Sequence, residues 1–187
     1  MFYRWRSGVN ICTVLTFLVV YFPTQGLPPI PEPEWQTYGS KEGNFTIKLP
    51  DKPAAHVRET ELTGVPGKTR FQSLELEEEE IIYAVSFTDL PQEVVARKDF
   101  LDKVGFANLG GIFSIKLDEQ AGTATTFRGY PGRNFQFSVP DHGEVVARVL
   151  LVKQRLYIIL AAAEEIDAET PEVKKFLDSF AFHNDPQ

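Results

Sequence analysis

The sequence predicts an α+β domain in which a mainly antiparallel β-sheet is covered by helices. Three features carry that prediction. Apolar and polar residues alternate with a period of two along most of the chain, as half-buried strands require. The breaks between these runs are short and rich in Gly, Pro and Asp, so neighbouring strands join as hairpins and run antiparallel. Two late segments, 144–153 and 155–163, are apolar on both faces and belong in the middle of a sheet covered from both sides.

At 187 residues the chain is long enough for one domain and a targeting segment. Arg4 and Arg6 precede a mostly apolar run from Val9 to Phe22, which Pro23-Thr24-Gln25-Gly26 ends with small residues at the −3 and −1 positions. That layout reads as a secretory signal peptide over residues 1–26, with an uncleaved N-terminal anchor as the alternative. Cys12 lies inside the apolar run and reads as a small hydrophobe. Residues 27–34 hold four prolines and form an extended spacer, because proline joins neither a helix nor an inner strand. The single domain then spans residues 35–182, and 183–187 is a polar tail.

Within the domain, Lys41-Glu42-Gly43-Asn44 is a turn leading into a strand with Phe45, Ile47 and Leu49 on one face, ended at Pro50-Asp51-Lys52-Pro53. Strands follow at 55–62 and 69–76, joined by a turn at Val65-Pro66-Gly67-Lys68. A third runs through Ile81, Tyr83, Val85 and Phe87 and stops at Pro91. The period then changes. Phe100, Leu101, Val104 and Ala107 lie at helical spacing, and Gly110-Gly111 ends a helix over 93–109. Strands return at 112–118 and 123–129. After a Pro131-Gly132 turn, Phe135, Phe137 and Val139 alternate on a further strand. Asp141-His142-Gly143 turns the chain into the two apolar strands. Thr170 as cap, Pro171 at the first position and Glu172 beside it open a final helix, whose buried stripe is Val173, Phe176, Leu177 and Phe180.

These residues carry a resemblance. Trp35 and Tyr38 lead into Glu42-Gly43-x-Phe45-x-Ile47-x-Leu49-Pro50. A long hairpin and a helix follow, then strands ending in Arg155-Leu156-Tyr157 and a terminal helix finishing in Ser179-Phe180. Over residues 35–182 the chain resembles the Mog1/PsbP-like α/β/α sandwich proteins, and most of all uncharacterised exported bacterial domains of that fold. The resemblance implies a fold and no reaction. PsbP proteins are non-enzymatic extrinsic subunits of photosystem II and Mog1 binds a small GTPase. The residues that would carry either role are not identifiable here, and an export signal separates this chain from a cytosolic GTPase.

Composition narrows the chemistry. Loss of residues 1–26 removes two Arg and no acid, so the formal charge of −7 becomes more negative by two. It also removes the one Cys, which excludes a disulfide framework, a thiolate nucleophile and a Cys-held metal from the mature protein. An acidic chain without a Lys/Arg cluster does not suit nucleic acid. An exported, acidic, cysteine-free protein fits a bacterial envelope, placing it in the periplasm, outside the cell or tethered to the outer side of the membrane.

Each candidate site has a plain structural account. His56, His142 and His183 are scattered, without metal-ligand spacing. Glu75 and Glu77–Glu80 lack the spacing of a calcium loop and read as a solvated hairpin tip. Ser40, Ser73, Ser86, Ser114, Ser138 and Ser179 sit outside any Gly-x-Ser-x-Gly elbow. Asn44-Phe45-Thr46 matches a glycosylation sequon, but the strand alternation already explains it. Gly129-Tyr130-Pro131-Gly132-Arg133 is the most specific feature: a turn there would set Tyr130 and Arg133 side by side near Arg148, as an interaction surface. The same Pro-Gly pair also satisfies a type II turn. The expectation is therefore a non-catalytic exported domain that binds an unidentified protein or envelope component, with no catalytic residue, metal or cofactor, and membrane contact only through an uncleaved N-terminal segment. A small apolar-ligand carrier, with a pocket between helix 93–109 and the sheet, is the alternative. A carboxylate-based hydrolase comes third.

Overall fold

The computed structural model describes residues 34–62, 64–97, 100, 101, 109, 122–140 and 143–183. The expected signal segment, the spacer to residue 33, strand 112–118, Gly110-Gly111, Ser114, Asp141, His142 and the tail after His183 lie outside them. The described elements are strands β1 (Gln36–Ser40), β2 (Phe45–Leu49), β3 (Ala54–Glu61), β4 (Lys68–Glu77) and β5 (Ile81–Asp89), then helix α1 (Gln92–Val95). Strands β6 (Gly122–Phe127), β7 (Tyr130–Val139), β8 (Gly143–Val152) and β9 (Arg155–Ala163), helix α2 (Pro171–Ser179) and strand β10 (Ala181–Phe182) complete them. Of the predicted helix 93–109, α1 is described as a helix, and Phe100 and Leu109 are helical and buried.

Seven strands form one sheet in the order β3-β4-β5-β9-β8-β7-β6, and three form another in the order β1-β2-β10. Every pairing is antiparallel. The doubly apolar strands β8 and β9 take the centre, as their composition requires. One face, bearing Phe135, Ala147, Val149, Ile158 and Leu160, packs with Leu90, Val94, Phe100 and Leu109. The other face, bearing Tyr83, Val85, Leu150, Tyr157 and Ile159, packs with Phe45 and Ile47 of β2, Phe176 of α2, and Phe180.

That second cover corrects the expectation of a sheet covered by helices: a three-stranded sheet shares the task with α2. The segments that build it, β1 and β10, are five and two residues long. β10 is too short to show an alternation, and Gln36–Ser40 sets Tyr38 among polar and small residues, so neither declares a strand. Phe180 is the hub of this layer. Its ring stacks on Phe45 at 5.5 Å and meets Tyr157 at 5.5 Å and Phe182 at 5.2 Å edge-on.

Two local expectations change as well. The Pro131-Gly132 turn is not a turn; both residues lie in β7. The β6–β7 hairpin instead closes at Arg128-Gly129, whose φ angles of 50° and 82° supply the two left-handed residues a tight hairpin favours. Pro131 pairs with Thr126 of the edge strand β6, while the register with β8 begins at Gly132, so its missing N–H breaks no bond to β8. Thr170 stands at the start of α2 without capping it by its side chain. Its hydroxyl is engaged with Asp167, accepting from the Asp167 N–H at 3.0 Å and donating to its carboxylate at 3.1 Å.

Tyr83 is 3 % exposed and lies against Phe176, with ring centroids 5.0 Å apart. Burial pushes its phenol up to about 12, and the charges of Glu172 and Glu78 add to the rise. The folded state therefore holds the proton that the unfolded chain releases near 10.0. The contribution of Tyr83 to stability is constant below that pH and falls as pH rises towards about 12. Phenolate absorbance should show Tyr83 titrating late, and Tyr83→Phe should lessen the loss of stability between those values. An unchanged alkaline limb in the variant would refute the assignment. In chemical denaturation Phe180→Ala should cost about 3–5 kcal/mol, whereas Val57→Ala on the exposed strand β3 should stay within about 0.5 kcal/mol.

Candidate functional site

Antiparallel registers decide which turns meet. Asp89 lies opposite Arg155, and Val152 also lies opposite Arg155 across the β8–β9 hairpin. The β5 end, the Lys153-Gln154 tip and the β6–β7 tip thus share one end of the large sheet. The β1–β2 tip joins them through Phe182, which pairs with Phe45, and through the His183 N–H, which donates to Asn44 O at 3.2 Å. Asn44, Arg128 and Lys153, one from each of three tips, are the described non-glycine residues with positive φ, at 55°, 50° and 58°. Such strain persists only where surrounding structure enforces it, and it concentrates at functional surfaces.

Between these tips is a cleft of about 470 Å³ whose walls include Asn44, Tyr130, Lys153, Arg155, Tyr157 and Phe182. A second cleft of about 340 Å³ includes Glu42, Lys68, Arg70, Gln72 and Thr88 in its lining. Asp89 lines both.

The partition between them is a clamp. The Arg155 guanidinium donates to the two Asp89 carboxylate oxygens at 2.7 and 2.6 Å and to Glu42 O at 2.6 Å. Its central carbon also lies 5.3 Å from the Phe87 ring centroid. The hydrogen bond to Asp89 is the main reason the Arg155 pKa lies above its ordinary value. Beside it, Tyr157 Oη donates to Gly43 O at 2.7 Å. Burial raises the Tyr157 pKa, against the lowering effect of Arg155. A Cβ on Gly43 would come within 2.6 Å of the Phe45 ring, so glycine is what lets this turn close on the sheet. Lys153 makes no ion pair or hydrogen bond among the described residues, and its ammonium group is free to meet a ligand.

The structure separates the predicted interaction residues. Tyr130 lines the larger cleft and meets Phe182 edge-on at 5.1 Å. Arg133, three residues along the same strand, points to the opposite face and donates to Gly122 O at 2.7 Å. Arg148 shares the face of Tyr130 but serves α2, donating to Leu177 O at 2.9 Å and pairing with Asp178 at 3.2 Å. A cation at a helix C-terminus satisfies its last carbonyls. The three residues form no common surface.

The remaining candidates fall into structural roles. Ser179 accepts from the Lys48 N–H at 2.9 Å and donates to Phe176 O at 2.7 Å, tying α2 to β2. Ser40 accepts from the Gly43 N–H at 2.8 Å. His56 and Ser73 face each other across β3 and β4, and Glu75 contacts both, accepting from Ser73 at 2.6 Å and lying 3.9 Å from His56. Ser73 thus gives its proton to a carboxylate that Arg58 also holds at 2.9 Å, and not to an imidazole. Glu78–Glu80 remain an exposed tip at the far end of β5. Among the described residues no cluster of acids and histidines has the arrangement of a metal site.

No family model matches the chain, and no curated protein matches it either. Among solved structures, cyanobacterial PsbP (CyanoP) from Synechocystis sp. PCC 6803 is similar, with a TM-score of 0.53 and 11% sequence identity. The likeness covers 86% of this chain and 99% of that one. The chain has a PsbP-like fold, as its core and turn residues lead one to expect.

Loss of the clamp should register as stability. Tyr157→Phe strands the Gly43 carbonyl beside the core and should cost about 1–3 kcal/mol in denaturant unfolding. Arg155→Lys keeps the charge but cannot reach both Asp89 oxygens and Glu42 O together, for a loss of about 1 kcal/mol. Unfolding free energies equal to wild type in both variants would show that the clamp is not structural.

Proposed function

We propose that the protein is a non-catalytic exported domain that binds a protein or envelope component at the end where its hairpin tips gather. The apolar run and small-residue break of residues 1–26 support export to the periplasm or the outer side of the membrane. One observation carries the binding reading: the polar groups at the heart of the clefts are bonded to each other. Arg155 is committed to Asp89 and Glu42 O, and Tyr157 to Gly43 O. They present a shaped, rigid wall to a partner, and neither group is poised to exchange a proton with a substrate. Around that wall stand the Tyr130 ring, the unpaired Lys153 and three tips held in strained backbone. Loops set on a rigid sheet are the usual carriers of recognition.

A photo-reactive residue placed at Tyr130 should crosslink a discrete envelope component in the producing cell, and one placed at Glu79 on the far end should not. Lys153→Glu, which leaves the core untouched, should weaken that capture roughly tenfold, the equivalent of about 1.4 kcal/mol. Equal crosslinking at both ends, or none at Tyr130 alongside a co-purifying apolar ligand, would overturn the reading in favour of a carrier.

A further inference from the structure

Strand β3 ends the seven-stranded sheet among the described residues and is exposed at all eight positions. It is paired with β4 residue for residue from Ala54 to Glu61, without proline or a bulge. Its outer edge is a straight row of backbone donors and acceptors, the form a further strand adds to. Its charges are sorted by face. Glu59 and Glu61 lie with Val57 on the side of β2 and α2, and His56 and Arg58 lie on the other side.

Across the sheet those charges alternate. On the first face Arg70 and Lys68 of β4 stand opposite Glu59 and Glu61. On the second, Glu75 of β4 is bonded to Arg58 at 2.9 Å and lies 3.9 Å from His56. Each row runs from β4 to β3 with a change of sign, and opposite charges on adjacent strands stabilise a pair while like charges oppose it. The next strand in the series therefore carries cations over Glu59 and Glu61 and acids over His56 and Arg58.

A second copy of β3 does not meet that requirement. Two antiparallel β3 strands related by a two-fold axis keep like faces on the same side of the joined sheet. The acid-bearing faces then meet each other, as do the base-bearing faces, and no register sets an acid opposite a base. Val57, 55 % exposed, offers one apolar contact to an incoming strand.

We propose that the outer edge of β3 is a strand-addition site for an extended segment of a different protein, one with cations on one face and acids on the other. The outer edge of β3 is two strands removed from β5, and the proposal does not depend on the reading of the hairpin-tip end. The probe is the peptide Lys-Thr-Lys-Glu-Val-Glu-Ala, which, antiparallel to residues 61–55, places each charge opposite its complement. In amide NMR spectra of the protein, the peptide should shift the resonances of β3 and slow their hydrogen exchange. The charge-reversed peptide Glu-Thr-Glu-Lys-Val-Lys-Ala should bind at least tenfold more weakly, and N-methylation of alternate peptide amides should abolish binding. The double variant Glu59→Lys/Glu61→Lys should lose affinity for the first peptide to a similar degree while keeping the wild-type fold. Equal binding of the two peptides, absence of β3 shifts at millimolar peptide, or concentration-dependent self-pairing through β3 would each overturn the proposal.

Discussion

A strand that is apolar on both faces must be covered twice, and β9 imposes that demand on everything around it. From Leu156 to Ala162 its side chains are buried on both sides of the sheet. One side needs the segment after β5; the other needs β2, α2 and the short strand that follows it. The chain's order follows. The first hairpin precedes the large sheet in the chain, and the last helix and β10 return to it, so that Phe45, Phe180 and Phe182 close over Tyr157 together. The first and last described elements are held by the middle of the sheet.

Aromatic packing fixes distance, but rings alone do not fix register. The polar ties do that. Arg155 joins the β1–β2 turn to the end of β5, Arg148 joins β8 to the last turn of α2, and Ser179 joins α2 to β2. Each links elements far apart in sequence, and each uses a backbone atom, at a turn for Glu42, at a helix end for Leu177 and in a strand for Lys48. Arg155 and Asp89 line a cleft, which is where a functional group is ordinarily sought. Their bonds show a different use, because a guanidinium with two carboxylate oxygens and a carbonyl already in place is fixed structure.

The burial pattern was readable from sequence because it is local. Phe45, Ile47 and Leu49 declare a strand without reference to anything distant, and the stripe Val173, Phe176, Leu177 declares a helix. The cover made by β1 and β10 was not readable, since a two-residue strand exists only through its pairing with β2. The site failed for a related reason. Tyr130 and Arg133 are neighbours if Pro131-Gly132 is a turn. In a strand, residues three apart point to opposite faces, and the glycine that forms the turn is Gly129. Gly132 answers a different constraint, since a Cβ there would lie 2.6 Å from Val149 O of the adjacent strand. The Arg155-Leu156-Tyr157 triplet did contain the clamp, because Arg155 and Tyr157 are two apart and share a face. What the sequence could not show was Asp89 opposite one and Gly43 over the other.

An 11% identity with a shared fold separates what the architecture requires from what it leaves open. The requirement is a pattern of burial and turns, which many side-chain sets satisfy. The proposed recognition falls where burial imposes little: the hairpin tips and the edge of β3. Both depart from what stability alone favours. Lys153 and Arg128 occupy backbone that glycine would occupy with less strain, and β3 stands exposed on both faces without the proline or bulge that blunts an edge. Among the described residues Val57 and Ile82 are the exposed large hydrophobics, at 55 % and 44 %, and they are set on opposite faces and form no broad apolar patch. The proposed partner is therefore one met through backbone, charge and the edges of rings.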